Sequence, residues 1–206
     1  MSGQRVTIIS TRVANIASVG AAFHRLGVPI DVTDDPGRVR TSGRVVLPGV
    51  GSFGAGMESI RARGLCDAIL ERADRERPTL AICLGMQMLC ASSEEAPGVK
   101  GLGVIDAHAS RFPDGTRTPQ FGWNRVEPGP DSAFTESGYA YYANSYRLAA
   151  APQGWASSTS DHGGEFVAAL ERGPILACQF HPELSGTWGH ELLERWHIQK
   201  EVGSAC

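Results

Sequence analysis

The sequence predicts one α/β domain over residues 1–206, built on an open mixed sheet that is largely parallel, with helices on both faces. Short apolar segments such as Arg5–Ser10 and Thr79–Leu84 alternate with segments of helical periodicity in the first hundred residues, and this alternation is typical of parallel sheets. Beyond them, glycine, proline and aromatic residues become denser. Extra antiparallel strands are therefore expected in the second half.

Hydrophobic periodicity and capping residues place the individual elements. Asn15 is predicted to cap a helix whose apolar residues recur at spacings of three and four, and Gly27 ends that helix. A longer helical stretch is expected from Met57 to Ala73. The other predicted helices are Met86–Ala91 and Ser185–Gln199. The other predicted strands are Pro29–Val32, Arg44–Pro48, Gly103–Ile105, Asn124–Val126, Ala140–Ala143, Phe166–Leu170 and Ile175–Phe180.

The composition is that of an ordinary soluble globular protein. The chain has 42% hydrophobic and 20% charged residues and a formal net charge of −3, which gives no electrostatic reason to expect nucleic acid or an anionic membrane as a partner. Its apolar runs, such as Thr79–Leu84, are too short to span a bilayer. The N-terminal residues lack the layout of a signal peptide, so we expect a cytoplasmic protein.

The five cysteines are scattered, odd in number and mostly set in apolar sequence. A disulfide framework is not expected in a chain of this size and character. No Cys-x-x-Cys pair is present, which argues against a structural zinc site. We therefore predict no metal site, and an inert core-filling role for Cys66, Cys90 and Cys178.

Cys83 stands where a predicted strand meets a predicted helix, in the segment Ala81-Ile-Cys-Leu-Gly-Met-Gln87. This is the layout of a nucleophile elbow, which holds a nucleophile out of the sheet at a helix N-terminus. Gly85 allows the tight turn, while the helix N-terminus favours the thiolate and offers the Leu84 N–H to an oxyanion. On this pattern alone, a buried cysteine that merely follows a strand is the alternative.

His181 and Glu183 lie two residues apart at the end of another predicted strand, so in an extended segment both side chains point to the same side. A carboxylate beside an imidazole fixes its tautomer and stabilises the imidazolium. Taken alone, the pair is more simply a solvated histidine and glutamate. Taken with Cys83, it favours thiol-based acyl transfer.

A third element follows the predicted strand at Arg44–Pro48. Gly49 and Gly51 flank Val50, and a strand ending in this way can present backbone N–H groups at the carboxyl edge of a sheet, where ligands bind. The N–H of Val50 or of Gly51 is thus a candidate second oxyanion donor. An ordinary glycine turn is the alternative.

These three segments resemble, in the same chain order, the oxyanion strand, the cysteine elbow and the terminal His-Pro-Glu of the class I (triad-type) glutamine amidotransferases. That resemblance implies a flavodoxin-like α/β fold and no cofactor. A narrower resemblance is to the HisH-type glutaminase subunits of imidazole glycerol phosphate synthase. It is carried by Pro-Gly-Val-Gly from Pro48, Cys-Leu-Gly-Met-Gln from Cys83, Gly-Trp-Asn at Gly122–Asn124 and Gln-Phe-His-Pro-Glu-x-Ser-Gly at Gln179–Gly186.

The resemblance implies a role for each matching residue. Cys83 attacks the side-chain amide of glutamine, His181 moves the proton and Glu183 orients His181. The oxyanion donors are the N–H groups of Val50, Gly51 and Leu84. The residues expected to hold glutamine are Gly49, Gln87, Asn144, Ser145 and Tyr146.

The resemblance also implies a partner, a (β/α)8-barrel cyclase of the HisF type that receives the ammonia. Trp123, Asn124 and Tyr141 are the expected interface residues, although Trp123 in the core is an equal alternative. Because the glutaminase of the family is coupled to its synthase, we expect low activity from the isolated chain.

Two departures from the family pattern leave alternatives open. The family usually begins its first strand-to-helix turn with Asp-Tyr-Gly-x-Gly-Asn, whereas this chain has Ser10-Thr-Arg-Val-Ala-Asn15, and Asn144 stands where the family has a histidine. These departures keep open a glutamine amidotransferase subunit for another ammonia-requiring synthase. Two further alternatives are a stand-alone γ-glutamyl hydrolase and a non-catalytic scaffold, and the intact set of Cys83, His181 and Glu183 argues against the scaffold.

Overall fold

Strands and helices alternate along residues 5–11 and 15–199, the part of the chain that the computed structural model describes. The helices are α1 (Ile16–Arg25), α2 (Pro36–Thr41), α3 (Phe53–Ala62), α4 (Cys66–Asp74), α5 (Leu84–Leu89) and α6 (Gly186–Ile198). The strands are β1 (Val6–Ile9), β2 (Ile30–Thr33), β3 (Arg44–Leu47), β4 (Thr79–Ile82), β5 (Cys90–Ser93), β6 (Ile105–Arg111), β7 (Gln120–Pro128), β8 (Gly138–Asn144), β9 (Tyr146–Arg147), β10 (Ala156–Asp161), β11 (Glu165–Arg172) and β12 (Ile175–Cys178).

The main sheet is mixed, in the strand order β2-β1-β3-β4-β12-β11-β10-β7-β8. The strands from β2 to β12 in this order pair in parallel, and those from β12 to β8 pair antiparallel. A small second sheet has the order β5-β6-β9. The predicted fold class, a largely parallel mixed sheet with antiparallel strands in the second half, is confirmed.

Helices pack on both faces of the parallel part of the main sheet, from β2 to β12. Alternate residues of these strands therefore enter two separate hydrophobic cores. On one face, Phe23 of α1 and Trp196 of α6 pack together with ring centroids 6.2 Å apart. On the other face lie Met57 of α3 and Ile69 of α4. Burial on both faces explains why these strands consist of continuous apolar runs.

The observed elements differ from the predicted ones in several places. The helix expected from Met57 to Ala73 is two helices, α3 and α4, because Gly64 takes a left-handed φ of 64° between them. The helix expected at Met86–Ala91 ends at Leu89 and leads into β5. Helix α2, capped by the Asp35 side chain, and strands β5, β9 and β10 were not predicted. The strand expected at Gly103–Ile105 begins only at Ile105, as β6.

The neighbouring strands β4 and β12 bring the predicted reactive residues together. They pair in parallel with Cys178 opposite Ile82, so the segments that follow them leave the sheet at the same edge. The Cys83 N–H donates to the Cys178 carbonyl at 2.7 Å, which extends this pairing by one residue. Among the described helices, none is long and apolar enough to cross a membrane.

Candidate active site

Cys83 occupies a strained turn between β4 and α5. Its φ of 52° and ψ of −108° lie outside the regions that non-glycine residues favour, as expected for a nucleophile elbow. The turn requires glycine two residues later, because a Cβ on Gly85 would lie 2.1 Å from the Leu47 carbonyl oxygen. The close packing of α5 on β3 therefore fixes where Leu84 and Cys83 lie.

His181 bridges the Cys83 thiol and the Glu183 carboxylate. Its Nδ1 lies 2.9 Å from Oε1 of Glu183, and its ring lines the same cavity as Cys83, which is near enough to influence the pKa of the imidazole. Burial alone would lower the pKa of His181, but the hydrogen bonds and charges of Cys83 and Glu183 outweigh it and raise that pKa to about 10. The backbone N–H of His181 donates to the Tyr141 carbonyl at 2.8 Å, and the Ser185 hydroxyl donates to the backbone carbonyl of His181 at 2.6 Å. These two bonds fix the backbone of His181, while the Glu183 carboxylate orients its ring and favours the imidazolium.

The predicted oxyanion donors surround Cys83 at the end of β3. Among the described residues, none accepts a hydrogen bond from the N–H of Val50, Gly51 or Leu84. Gly51 has a φ of 94°, a backbone conformation that glycine adopts readily. Gly49 packs against α5, where a Cβ would lie 2.8 Å from the Leu84 Cβ and 2.9 Å from the Gly85 nitrogen. Gly49 therefore sets the distance between the two groups of donors.

One cavity of about 230 Å³ joins these groups. It brings together most of the residues that the sequence analysis predicted for catalysis, for stabilising the oxyanion and for binding glutamine. Gly49 and Glu183 are the predicted residues that do not line it. The residues lining it are Val50, Gly51, Cys83, Leu84, Gln87, Glu95, Ala143, Asn144, Ser145, Tyr146 and His181.

The predicted glutamine-contacting residues are tied to one another on one side of this cavity. The Gln87 Nε2 donates to the Tyr146 carbonyl at 3.2 Å, and the Asn144 Nδ2 donates to the same carbonyl at 3.0 Å. Asn144 therefore keeps the segment through Ser145 and Tyr146 in place without a titratable group.

Two residues of the site were missed by sequence reasoning. Glu95 lines the cavity, and its Oε2 accepts the Phe53 N–H at 2.6 Å. Gln179 lies with its Nε2 3.6 Å from the Cys83 Sγ. The sequence signals for Gln179 were its place two residues before His181 and its position at the start of the Gln-Phe-His-Pro-Glu motif. Glu95 had no such signal, because its approach to the cavity depends on the turn after β5.

The predicted interface residues lie on the outermost strand pair of the sheet. Trp123 is 58% exposed and Phe121 is 73% exposed, so Trp123 does not belong to the core. Both rings pack edge-on against Tyr141, with centroids 6.2 and 6.1 Å from it. Asn124 has a structural contact, since its Nδ2 donates to the Asp161 carbonyl at 2.8 Å.

The other described cysteines lie outside the cavity. Burial raises the pKa of Cys90 to about 12 and raises the pKa of Cys178 well above its ordinary value. Cys66 is half-buried, and burial raises its pKa as well. All three are unpaired. Within the described ranges, no group of three or more His, Cys, Asp or Glu residues is arranged to hold a metal ion.

The fold and the site agree with what the sequence comparisons find. The sequence model described as glutamine amidotransferase class-I matches residues 10–200. The chain therefore belongs to the class I glutamine amidotransferase family.

Relatives within this family carry a narrower description. The subunit HisH of imidazole glycerol phosphate synthase from Symbiobacterium thermophilum is 38% identical over 196 residues, which cover 93% of this chain and 92% of that subunit. The HisH subunit from Moorella thermoacetica is 37% identical over 205 residues, covering 97% and 98%. The chloroplastic imidazole glycerol phosphate synthase hisHF of Arabidopsis thaliana is 37% identical over 198 residues, covering 93% of this chain and 33% of that protein.

Solved structures share the fold at lower identity. A structure described as a glutamine amidotransferase is 19% identical with a TM-score of 0.75, covering 92% of this chain and 96% of that one. The structure of PurLQS from Thermotoga maritima is 18% identical with a TM-score of 0.73, covering 94% and 97%. At these identities, the likeness shows the fold alone.

Proposed function

We propose that this chain is the glutaminase subunit of an imidazole glycerol phosphate synthase, which hydrolyses glutamine and passes the ammonia to a cyclase in histidine biosynthesis. The observation that carries the proposal is the arrangement of Cys83, His181 and Glu183. Cys83 and His181 follow two adjacent parallel strands, and His181 is hydrogen-bonded to Glu183. Cys83 and His181 line one cavity together with Val50, Gly51 and Leu84, whose N–H groups have no acceptor among the described residues. The HisH relatives at 37–38% identity support the assignment.

The proposed reaction begins from a thiolate–imidazolium pair. The Cys83 thiolate attacks the side-chain amide carbon of glutamine, and the charge that develops on the amide oxygen is stabilised by the N–H groups of Leu84 and of Val50 or Gly51. The His181 imidazolium then protonates the leaving nitrogen, which departs as ammonia and leaves a glutamyl thioester. The neutral imidazole next removes a proton from water, whose attack on the thioester carbon releases glutamate, expels the Cys83 thiolate and so restores the thiolate–imidazolium pair. Glu183 keeps Nδ1 as the donor toward its carboxylate throughout.

The cavity also offers groups for the amino-acid end of glutamine. Glu95 supplies a carboxylate, which suits the α-ammonium group of the substrate. Both N–H groups of the Gln87 amide are engaged, by the Tyr146 carbonyl and by Gln179, so the Gln87 Oε1 is the amide atom left for a donor on the substrate. We propose that Gln87 and Glu95 together select the amino acid.

The proposed partner follows from the chemistry of the product. Ammonia released into neutral water becomes mostly ammonium, which is not a nucleophile, so the acceptor must be docked on the glutaminase. An exposed aromatic surface on β7 and β8, formed by Phe121, Trp123 and Tyr141, has the composition of a protein interface. We propose that a (β/α)8-barrel cyclase of the HisF type binds this aromatic surface. The Arabidopsis synthase, of which this chain covers 33%, leaves room for a cyclase beside its matched part.

The proposal includes a single domain over residues 1–206, and it must account for the two departures from the family pattern. One domain over residues 1–206 is supported by the family match over 10–200. Of the departing turn at Ser10–Asn15, residues 12–14 lie outside the described residues. Asn144 is accommodated by its bond to the Tyr146 carbonyl, so this second departure does not favour another synthase over the cyclase.

The test is the nitrogen source of the assembled synthase. The chain and a HisF-type cyclase, given the cyclase's phosphoribulosyl-aminoimidazole ribotide substrate, should form imidazole glycerol phosphate from either glutamine or ammonium salts. With Cys83→Ala, only ammonium salts should support product formation. Product formation from glutamine by the variant would contradict the proposal. Failure of the unaltered chain to form product from glutamine, while ammonium salts still support it, would also contradict the proposal.

A further inference from the structure

A buried chain of side-chain amides reaches the sulfur of Cys83 from behind the cavity. Gln179 is 1% exposed and follows β12, and its Nε2 lies 3.6 Å from the Cys83 Sγ. Its Oε1 accepts the Gln87 Nε2 at 2.9 Å, and Gln87 in turn donates to the Tyr146 carbonyl at 3.2 Å. The residues that line the cavity, within the part of the chain described, do not include Gln179.

The direction of these hydrogen bonds is fixed by the backbone carbonyl at the far end. A carbonyl only accepts, so the atom of Gln87 that faces Tyr146 must be the NH₂ group. The same NH₂ faces Gln179, whose facing atom must then be its oxygen. The NH₂ of Gln179 is therefore the group turned toward the sulfur. Reversing either amide would place two donors or two acceptors against each other in a buried site.

No other buried donor behind the sulfur competes for this role among the described residues. The thiol of Cys178 lies 3.7 Å from the Ala81 carbonyl oxygen and 3.5 Å from the Phe180 carbonyl oxygen, and so bonds to those acceptors. On the other side of Cys83, His181 is needed for proton transfer and changes its charge during the reaction. A neutral donor that keeps its proton has a different use, because it stabilises negative charge on the sulfur whenever that charge is present.

We propose that Gln179 is a hydrogen-bond donor to the Cys83 thiolate, with Gln87 as the positioning residue that turns its NH₂ toward the sulfur. The consequence for glutamine hydrolysis rests on the proposed function. Gln87 then has two roles, because the same side-chain amide lines the substrate cavity and orients the amide of Gln179. Because Gln179 itself lies outside the cavity, its loss should slow the chemical steps and leave glutamine binding nearly unchanged.

The test uses the rate at which iodoacetamide alkylates Cys83 in the full-length chain near neutral pH, followed by mass spectrometry of the peptide that contains Cys83. Gln179→Met keeps the length of the side chain and removes the donor, and should slow alkylation by about tenfold. Gln179→Glu keeps the shape and still accepts from Gln87 but turns a carboxylate oxygen toward the sulfur, and should slow it further. Gln120→Met makes the same substitution at another buried glutamine, and should stay within about twofold of the unaltered chain.

The two Gln179 variants separate hydrogen bonding from packing. If Gln179 only fills space and holds Gln87, the Glu variant, which preserves both, should react faster than the Met variant. That order, or alkylation rates for both variants within about twofold of the unaltered chain, would overturn the proposal. Thermal melting identifies a variant that fails to fold, and the isosteric Glu variant then decides the question alone.

Steady-state kinetics with the cyclase complete the test and distinguish its failure from that of the proposed function. The inference predicts a fall in kcat of about tenfold for Gln179→Met, with KM within about twofold. Alkylation needs neither glutamine nor a partner. Slowed alkylation in a chain that releases no glutamate would overturn the proposed function and leave the Gln179 contact standing. An active glutaminase whose kcat is indifferent to both variants would overturn this inference alone.

Discussion

The backbone N–H of Cys83 donates to the carbonyl of Cys178 across 2.7 Å, so the elbow that follows β4 is tied to the last residue of β12. This bond joins two segments that lie far apart in the sequence and determines the relative position of the nucleophile and the histidine. From Cys178 the chain needs three further residues to reach His181, whose ring meets the Cys83 side chain. Cys83 and His181, the proposed nucleophile and the proposed acid–base, are thus positioned by sheet pairing.

The close approach of α5 to β3 should make Gly85 far less tolerant of a side chain than a matched glycine. Gly85→Ala places a Cβ 2.1 Å from the Leu47 carbonyl oxygen and should lower the free energy of unfolding by at least about 2 kcal/mol. Gly54 is likewise the second residue of its helix, but a Cβ there meets only the Ala96 Cβ, at 3.6 Å. Gly54→Ala should therefore be neutral or stabilise the protein by about 0.5–1 kcal/mol. Urea unfolding measures both, and equal effects would refute the packing argument.

Removing the Glu183 carboxylate should lower the pKa of His181. Burial favours the neutral ring, and the carboxylate is one of the groups that oppose burial, so Glu183→Gln shifts the balance toward neutral imidazole. The imidazole resonances of His181 followed by NMR against pH give the pKa directly. Glutamine hydrolysis should fall by about two orders of magnitude. Glu127→Gln, which removes an exposed carboxylate paired with Arg125, is the control and should change neither quantity.

The same raised pKa predicts how the contribution of His181 to stability depends on pH. The folded pKa is about 10 and the ordinary value is 6.5, so between these values the folded state binds the proton more tightly than the unfolded state. The stabilisation is therefore complete below pH 6.5 and is lost as pH rises through the folded pKa. Urea unfolding of the wild type and of His181→Gln at about pH 6, 8 and 10 measures the difference. That difference should shrink toward high pH, and a constant or growing gap would argue against a charged His181.

The aromatic surface should contribute to partner binding and little to folding. Trp123→Ala removes a ring that is 58% exposed, and should weaken binding to a HisF-type cyclase by more than about tenfold while leaving the melting temperature nearly unchanged. Val32→Ala is the matched control, because Val32 is an exposed apolar residue, 45% accessible, on β2 at the opposite edge of the sheet. Isothermal titration with each variant compares the two edges. Equal losses at both, or no loss at Trp123, would place the partner elsewhere.

The parts of the site that follow strand ends could be predicted from the sequence. Cys83 and His181 each come after a short apolar run, and such runs predict central strands whose carboxyl ends share one edge. Gly85 and Gly51 indicated tight backbone turns in the same way. These signals are local, since each depends on residues within one strand and the turn after it.

The contacts that could not be predicted depend on tertiary neighbours. Gln179 and Gln87 are 92 positions apart, and they meet only because β12 lies beside β4. Glu95 reaches the cavity through the turn after β5, a strand whose start at Cys90 looked like the continuation of a helix. The exposure of Trp123 was equally hidden, because a tryptophan in a strand fits a core as well as an interface.

The most direct test of the central claim is glutamate release from glutamine by the purified chain, measured alone and with a HisF-type cyclase carrying its ribonucleotide ligand. We expect low release from the chain alone, strong stimulation by the liganded cyclase, and none with Cys83→Ala under either condition. Glutamate release that persists in the Cys83→Ala variant, or its absence from the unaltered chain with the cyclase present, would contradict the account.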